Sequence, residues 1–163
     1  MDNWKILEEL IETSNKMYSR EGAARVDKIS TPVRLNPNRP GLAHYSKKST
    51  VDFTGLMDGG QFIAFDAKYS KAKRFPLSNI KPHQIDYLQE VNRLGGLGFI
   101  LIEMAHHCQF YIIAIDEAYS EAVGAKKSLT IKDIERLGYE VSLSGGRVFD
   151  YLYTVKKILD NRL

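Results

Sequence analysis

The sequence contains a single cysteine, Cys108, among its 163 residues. No internal disulfide can form, and the expected compartment is a reducing cytoplasm. Long apolar runs are also missing: no stretch approaches the roughly 20 residues a membrane-spanning helix needs, so no membrane role is expected. The first residues, Met1-Asp2-Asn3-Trp4-Lys5, pass at once into a charged pattern. A secretory leader would carry an apolar segment there, so none is expected. Acidic charge is absent from two long intervals. Between Asp27 and Asp52 there is no Asp or Glu, while Lys28, Arg34, Arg39, Lys47 and Lys48 occur. From Ala67 to Ile85 there is again none, with Lys68, Lys71, Lys73, Arg74 and Lys81 present. Two basic stretches around one acidic position point to a polyanionic partner. On charge alone, a pair of solvated loops would read the same.

What is present is ordinary for a globular protein: 44% hydrophobic and 26% charged residues, with a net charge of only +3. The length suits one domain, residues 1–163, with a core that needs no staple. No internal repeat, low-complexity segment or interdomain linker stands out. Trp4, Leu7, Ile11, Ser14 and Tyr18 recur at helical spacing, with Leu10 and Met17 beside them, and Gly22 is a natural stop. Trp4 is expected to pack this helix or to serve a dimer surface. An extended segment follows from Ala24 to Val33, ending near Pro32. Residues 35–48, with Asn36, Pro37, Asn38, Pro40 and Gly41, read as a loop or protruding arm.

Val51–Met57 and Gln61–Lys68 then form a hairpin about Asp58-Gly59-Gly60. A helix opens near Pro82, where a missing N–H costs nothing, buries Ile85, Leu88 and Val91, and ends at Gly95-Gly96. Leu97–Met104 and Cys108–Ile115 are apolar enough to be covered strands. His106 and His107 between them mark a tight turn, and Cys108 is expected in the core. The remainder reads as helical, with Val148, Leu152, Val155 and Leu159 on its last apolar stripe. The order helix, three strands, helix, two strands, helices predicts an α/β fold with a mixed β-sheet flanked by helices.

The hairpin carries the chemistry. Alternation puts Asp66 and Lys68 on one face, with Phe65 and Ala67 on the other. Asp52 on the partner strand comes opposite Asp66, with Val51 and Phe53 pointing away from it. Two adjacent carboxylates repel unless a divalent cation relieves them. Magnesium uses few carboxylates and fills its shell with water and phosphate. Such an ion polarises a scissile phosphate and lowers the pKa of a bound water. Lys68 would orient the nucleophile or stabilise charge on the phosphate. An exposed salt-bridge cluster remains the alternative that these three residues alone leave open.

The surrounding residues narrow the choice. Asp52 followed by Asp66-Ala67-Lys68 resembles the PD-(D/E)XK nuclease motif. Ser49-Thr50-Val51-Asp52-Phe53-Thr54-Gly55 is similar to the S-T-T-D-Y-N-G stretch of RecU-type Holliday junction resolvases. Phe62-Ile63-Ala64-Phe65-Asp66-Ala67-Lys68 is similar to their Y-I-D-F-E-A-K. Phe75-Pro76-Leu77-Ser78-Asn79, His83-Gln84-Ile85 and Ser30-Thr31-Pro32-Val33 resemble their F-P-L-K-N, H-Q-I and P-T-P-V. Leu7-Glu8 with Asn15 and Tyr18 matches their first helix, so the resemblance is collinear from about residue 7 to residue 104.

The resemblance implies a restriction-endonuclease-like core and a homodimer. It further implies a magnesium-dependent endonuclease (manganese substituting) that resolves four-way junctions in recombination and repair. It places Asp52, Asp66, Gln84 and Thr50 at the metal and Lys68 at the transition state, with Glu8 as a possible further acidic member. Arg34, Arg39, Lys47, Lys48, Lys71, Lys73, Arg74 and His83 would meet DNA, His83 alternatively capping its helix. Three departures stand out. Asp66 replaces a Glu, the arm before Asp52 is shorter than the family's stalk, and no further motif follows Met104. They leave room for a phage or mobile-element relative, for a PD-(D/E)XK nuclease of other DNA specificity, and for a catalytically silent DNA-binding module.

Overall fold

The computed structural model describes residues 3–31, 33–45, 50–142 and 149–162, without the side chains of Arg34, His44 and Tyr45. Helix α1 (Asn3–Glu21) buries Leu7, Ile11, Ser14, Asn15 and Tyr18, one stripe at three- and four-residue spacing. It stops where Gly22 adopts φ +69° and the Ala23 amide donates back to the Tyr18 carbonyl at 2.9 Å. Trp4 shares the phase of this stripe but is 49% exposed, so it is not the packing residue expected. Periodicity tells which way a side chain faces, not whether anything covers it.

Strand β1 (Ala24–Lys28) is followed by β2 (Val33–Leu35) and β3 (Ala43–Tyr45). The segment expected as an irregular arm is thus partly an antiparallel ribbon, with Val33 opposite Tyr45 and Leu35 opposite Ala43. The Asn36 amide extends the pairing to the Leu42 carbonyl, and the Asn36 side chain accepts the Asn38 amide within the turn.

Strands β4 (Phe53–Met57) and β5 (Phe62–Ser70) form the expected hairpin, with Phe53 opposite Phe65 and both turn glycines at positive φ. A short β6 (Phe75–Pro76) and a 3-10 turn lead to α2 (Pro82–Arg93). Strands β7 (Leu97–Met104) and β8 (Gln109–Ala114) follow, then α3 (Glu117–Val123), β9 (Ser128–Leu129), α4 (Ile131–Leu137), β10 (Tyr139–Glu140) and α5 (Tyr151–Asp160).

The main sheet runs β1-β4-β5-β7-β8-β10. Only β5 and β7 are parallel, as the crossover through α2 requires. Alternation along the strands divides the core in two. Phe53, Phe65, Phe99, Leu101 and Ile112 pack with residues of α1 and α5. Ala64, Ile100, Ile102 and Ile113 pack on the other side with Leu88 of α2 and Ile134 of α4. Helix α2 sits so close to the sheet that a Cβ on Gly98 would lie 2.3 Å from the Leu88 carbonyl oxygen. The fold is therefore the mixed sheet between helices that the element order predicts. No helix among the described residues is long and apolar enough to cross a membrane.

Three local expectations change. Val51 is buried with Ala64 and Ile100, not on the Phe53 side, because β4 begins only at Phe53 and alternation does not run back through the bend. Cys108 is exposed in a left-handed conformation (φ 53°) after the 3-10 turn Ala105–His107. The helical remainder is interrupted by β9 and β10, and α5 buries Leu152 and Val155 together with Ile158, while Leu159 is half-buried. Val148 lies outside the described residues.

Candidate active site

Asp52 lies in the bend just before β4, anchored where its carbonyl accepts the Ile29 amide at 2.8 Å. The Phe53–Phe65 pairing brings it opposite Asp66 on β5. The two residues then clamp each other's strand. The Asp52 amide donates to Asp66 Oδ1 at 2.8 Å, and the Ala67 amide donates to Asp52 Oδ2 at 3.0 Å. Asp66 has no exposed surface. Its Oδ2 faces the Lys68 ammonium at 3.3 Å and accepts no hydrogen bond among the described residues. Lys68 Nζ in turn donates to Gln84 Oε1 at 3.0 Å. Asp52, Asp66, Lys68 and Gln84 are therefore one connected group, drawn from the bend before β4, from β5, and from the first turn of α2.

The electrostatics follow from burial. Desolvation, and next the Asp66 charge, push the Asp52 carboxyl up to about 6. Asp66 is also raised, by desolvation, although Lys68 and the Asp52 amide oppose the shift. Two adjacent carboxylates, Asp66 buried and Asp52 half-buried, cannot both be ionised cheaply without a cation. The donor set fits a hard divalent ion: two carboxylates, one with an oxygen that has no hydrogen bond. No group of three or more His, Cys, Asp or Glu that could hold a metal occurs among the described residues. Two carboxylates suit a hard cation that keeps waters and takes phosphate oxygens better than an ion that demands an all-protein cage.

The remaining expected residues are dispersed. Thr50 is exposed in the bend beside Val51. Glu8 faces Lys28 at 2.6 Å, and Lys28 also reaches Glu12 at 3.4 Å. The Glu8 hydrogen bond, ahead of an opposing burial effect, raises the Lys28 pKa. No ion pair or hydrogen bond among the described residues joins Glu8 to the carboxylate pair. Lys28, one position along β1 from Ile29, was legible only as part of a basic run. The Glu8 and Glu12 pair, four apart on one helix face, is the signal that marks a cation between them. Lys71, Lys73 and Arg74 are exposed in the loop after β5, with Arg74 Nε donating to Ser128 Oγ at 2.9 Å. His83 is half-buried in the first turn of α2. Arg39 is exposed at the ribbon turn, and Arg34 lies mid-strand in β2 opposite His44. Lys47 and Lys48 fall outside the described residues.

Two sizeable grooves lie elsewhere, of 420 Å³ between α1 and β1 and of 860 Å³ between α2 and α3. Neither is lined by Asp52, Asp66 or Lys68. Small-molecule sites are usually enclosing clefts, whereas a nucleic-acid strand can be held along an open charged surface.

Known proteins are similar along nearly the whole chain. The family model "RecU: Recombination protein U" matches residues 4–157, well past Met104, where no further motif was legible. The Holliday junction resolvase RecU of Shouchella clausii is 33% identical over 166 residues, covering 95% of this chain and 80% of that protein. The protein of the same name from Mycoplasmopsis pulmonis is 35% identical over 155 residues, covering 95% and 94%. That from Staphylococcus epidermidis is 31% identical over 166 residues, covering 94% and 79%. The solved structure of Archaeoglobus fulgidus Hjc, a Holliday junction resolvase, gives a TM-score of 0.48 at 11% identity over 82% of this chain and 94% of that one, too distant to carry weight.

Proposed function

The chain belongs to the RecU family, and we propose from this that it is a metal-dependent endonuclease that resolves four-way DNA junctions by phosphodiester hydrolysis in recombination and repair. The single observation that carries the reading is the mutual clamp of Asp52 and Asp66 beside Lys68. That clamp fixes one carboxylate in the bend before β4 and one on β5, with a cationic side chain of β5 next to them.

Asp52 and Asp66 would hold magnesium, or manganese in its place, with Thr50 near the ion. When bound, such an ion supplies Lewis acidity and a nucleophilic water at neutral pH. Lys68 offers its remaining N–H toward a phosphate oxygen and offsets the charge that gathers there. Lys71, Lys73 and Arg74 in the loop after β5, His83, and the basic residues Arg34, Arg39, Lys47 and Lys48 would supply phosphate contacts that position the duplex arms. Two symmetric cuts need two such sites, so the working form is a homodimer, in the cytoplasm with its DNA. The short β2–β3 ribbon favours one second reading, a nuclease of the same chemistry with broader DNA specificity.

A labelled synthetic four-way junction and a matched linear duplex, each with and without magnesium, test the proposal. Paired nicks in the junction alone, dependent on magnesium, are expected. Equal cutting of both substrates would favour the second reading. Binding without any cutting would contradict both.

A further inference from the structure

Gln84 occupies an unusual place for a helix-surface residue. It is only 9% exposed, and its side chain folds back over the N-terminus of α2. Its oxygen Oε1 accepts the Lys81 amide at 2.9 Å and the Lys68 ammonium at 3.0 Å. A carboxamide oxygen has two lone pairs, and both are engaged. The resemblance to resolvases places Gln84 among the metal-contributing residues, but its oxygen has no lone pair left for an ion.

We propose that Gln84 is a positioning residue: its oxygen fixes the Lys68 ammonium and holds it at the right distance from Asp66. The distances support this. Charge-assisted N–H···O bonds are usually about 2.7–2.9 Å, yet Lys68 Nζ stays 3.3 Å from Asp66 Oδ2. Its shorter contact is to Gln84. Without Gln84, the flexible four-carbon stem of Lys68 would let the ammonium swing out of its fixed place beside the carboxylate. With Gln84, one N–H is spent on the carboxamide, the ammonium faces Asp66 as an ion pair at 3.3 Å, and an N–H remains for substrate. The Lys81 amide keeps Gln84 itself from turning, and Lys81 is fixed by its own Nζ donating to the Ser78 carbonyl at 3.1 Å. The chain of contacts ties the lysine on β5 to the start of α2.

The role in cleavage rests on the nuclease reading above, but the placement of Lys68 does not. Gln84→Met removes the acceptor at similar volume, and Gln84→Glu restores one. The ammonium signal of Lys68, assigned with Lys68→Ala in a nitrogen–proton NMR correlation spectrum, reports whether the group is held. A protected signal in the wild type, lost in Gln84→Met and returned in Gln84→Glu, is expected. Absence of that signal from the wild type, or its persistence unaltered in Gln84→Met, overturns the proposal. Calorimetry with Mn2+ alone is the second arm. Affinity in Gln84→Met should fall by no more than about 100-fold, the range that loss of an outer-shell partner brings, whereas a larger loss would make Gln84 a ligand and overturn it. The single-turnover cleavage rate of Gln84→Met should fall by about 100-fold with junction affinity retained. An unchanged rate counts against it. The first two readouts need no DNA, so a wild-type protein that cuts neither substrate would remove the nuclease reading alone.

Discussion

Asp66 has no exposed surface at all, whereas Leu35, at the end of β2, is 76% exposed and its neighbours Val33 and Leu42 are 55% and 53% exposed. The two regions are built on opposite terms. Asp66 lies on a nine-residue strand paired on both sides, by β4 and by β7, so its carboxylate has one position. The ribbon is three residue pairs closed by a turn, a two-stranded sheet separate from the main one. Chemistry that needs sub-ångström placement sits on the first kind of structure; contacts to a large, deformable polymer tolerate the second. Under the proposed function, bond cleavage would belong to the sheet and choice of substrate to the ribbon.

The strongest way to sharpen that division is at the sheet. Asp66→Asn should lower junction cleavage by about 100-fold to 1,000-fold, measured under single-turnover conditions with magnesium. Junction affinity in a gel-shift titration should remain close to wild type. A parallel loss of both would mean the substitution disturbs the fold and not the site alone.

Shortening the ribbon is the converse test. Replacing residues 36–42 by a two-residue turn should lower affinity for four-way junctions by about tenfold, or 1.4 kcal/mol. Calorimetric Mn2+ binding at the carboxylate pair should be unchanged. Altered cation binding would break the comparison by showing that the two regions are coupled.

The carboxylate pair also predicts a pH signature in the cation-free protein. The folded Asp52 carboxyl is raised to about 6, so between the unfolded value of about 4 and that value the folded state binds more protons. Stability from this group is present at low pH and is lost as pH rises through the window. Thermal melts should therefore favour wild type over Asp52→Asn progressively less from pH 4 to pH 6, by on the order of a few degrees. Added magnesium should reverse the loss at neutral pH. A pH-independent difference between the two proteins would contradict the raised Asp52 carboxyl.

Much of this division is visible in the residues themselves. The pairing of Asp52 with Asp66, and of Asp66 with Lys68, follows from period-two alternation and a glycine turn of defined length. The ribbon is not visible, because Pro37, Pro40 and Gly41 dominate its composition and three-residue strands are too short to show alternation. Gln84 reads as an exposed helix residue, and only its folding back onto the Lys81 amide buries it. The clamp itself uses the main-chain amides of Asp52 and Ala67, which no side-chain pattern encodes. Cys108 opens an apolar run and reads as core, yet the turn it ends requires a left-handed residue at the surface.

Smaller effects belong to the periphery. Removing Lys71 and Lys73 together should reduce the slope of log binding constant against log salt by about 1.8 if each neutralises one phosphate, with the saturated cleavage rate unchanged. Glu8→Gln should be smaller still. Its partner Lys28 keeps Glu12, so stability should change by no more than about 1 kcal/mol, as for partly exposed pairs. A large fall in cleavage at unchanged stability would instead move Glu8 into the site.

The most direct test is Asp52→Asn assayed for junction binding and junction cleavage on the same labelled four-way substrate. Retained binding with paired nicks abolished is the predicted result. Cleavage at the wild-type rate would contradict the assignment of the Asp52–Asp66 clamp as the catalytic centre.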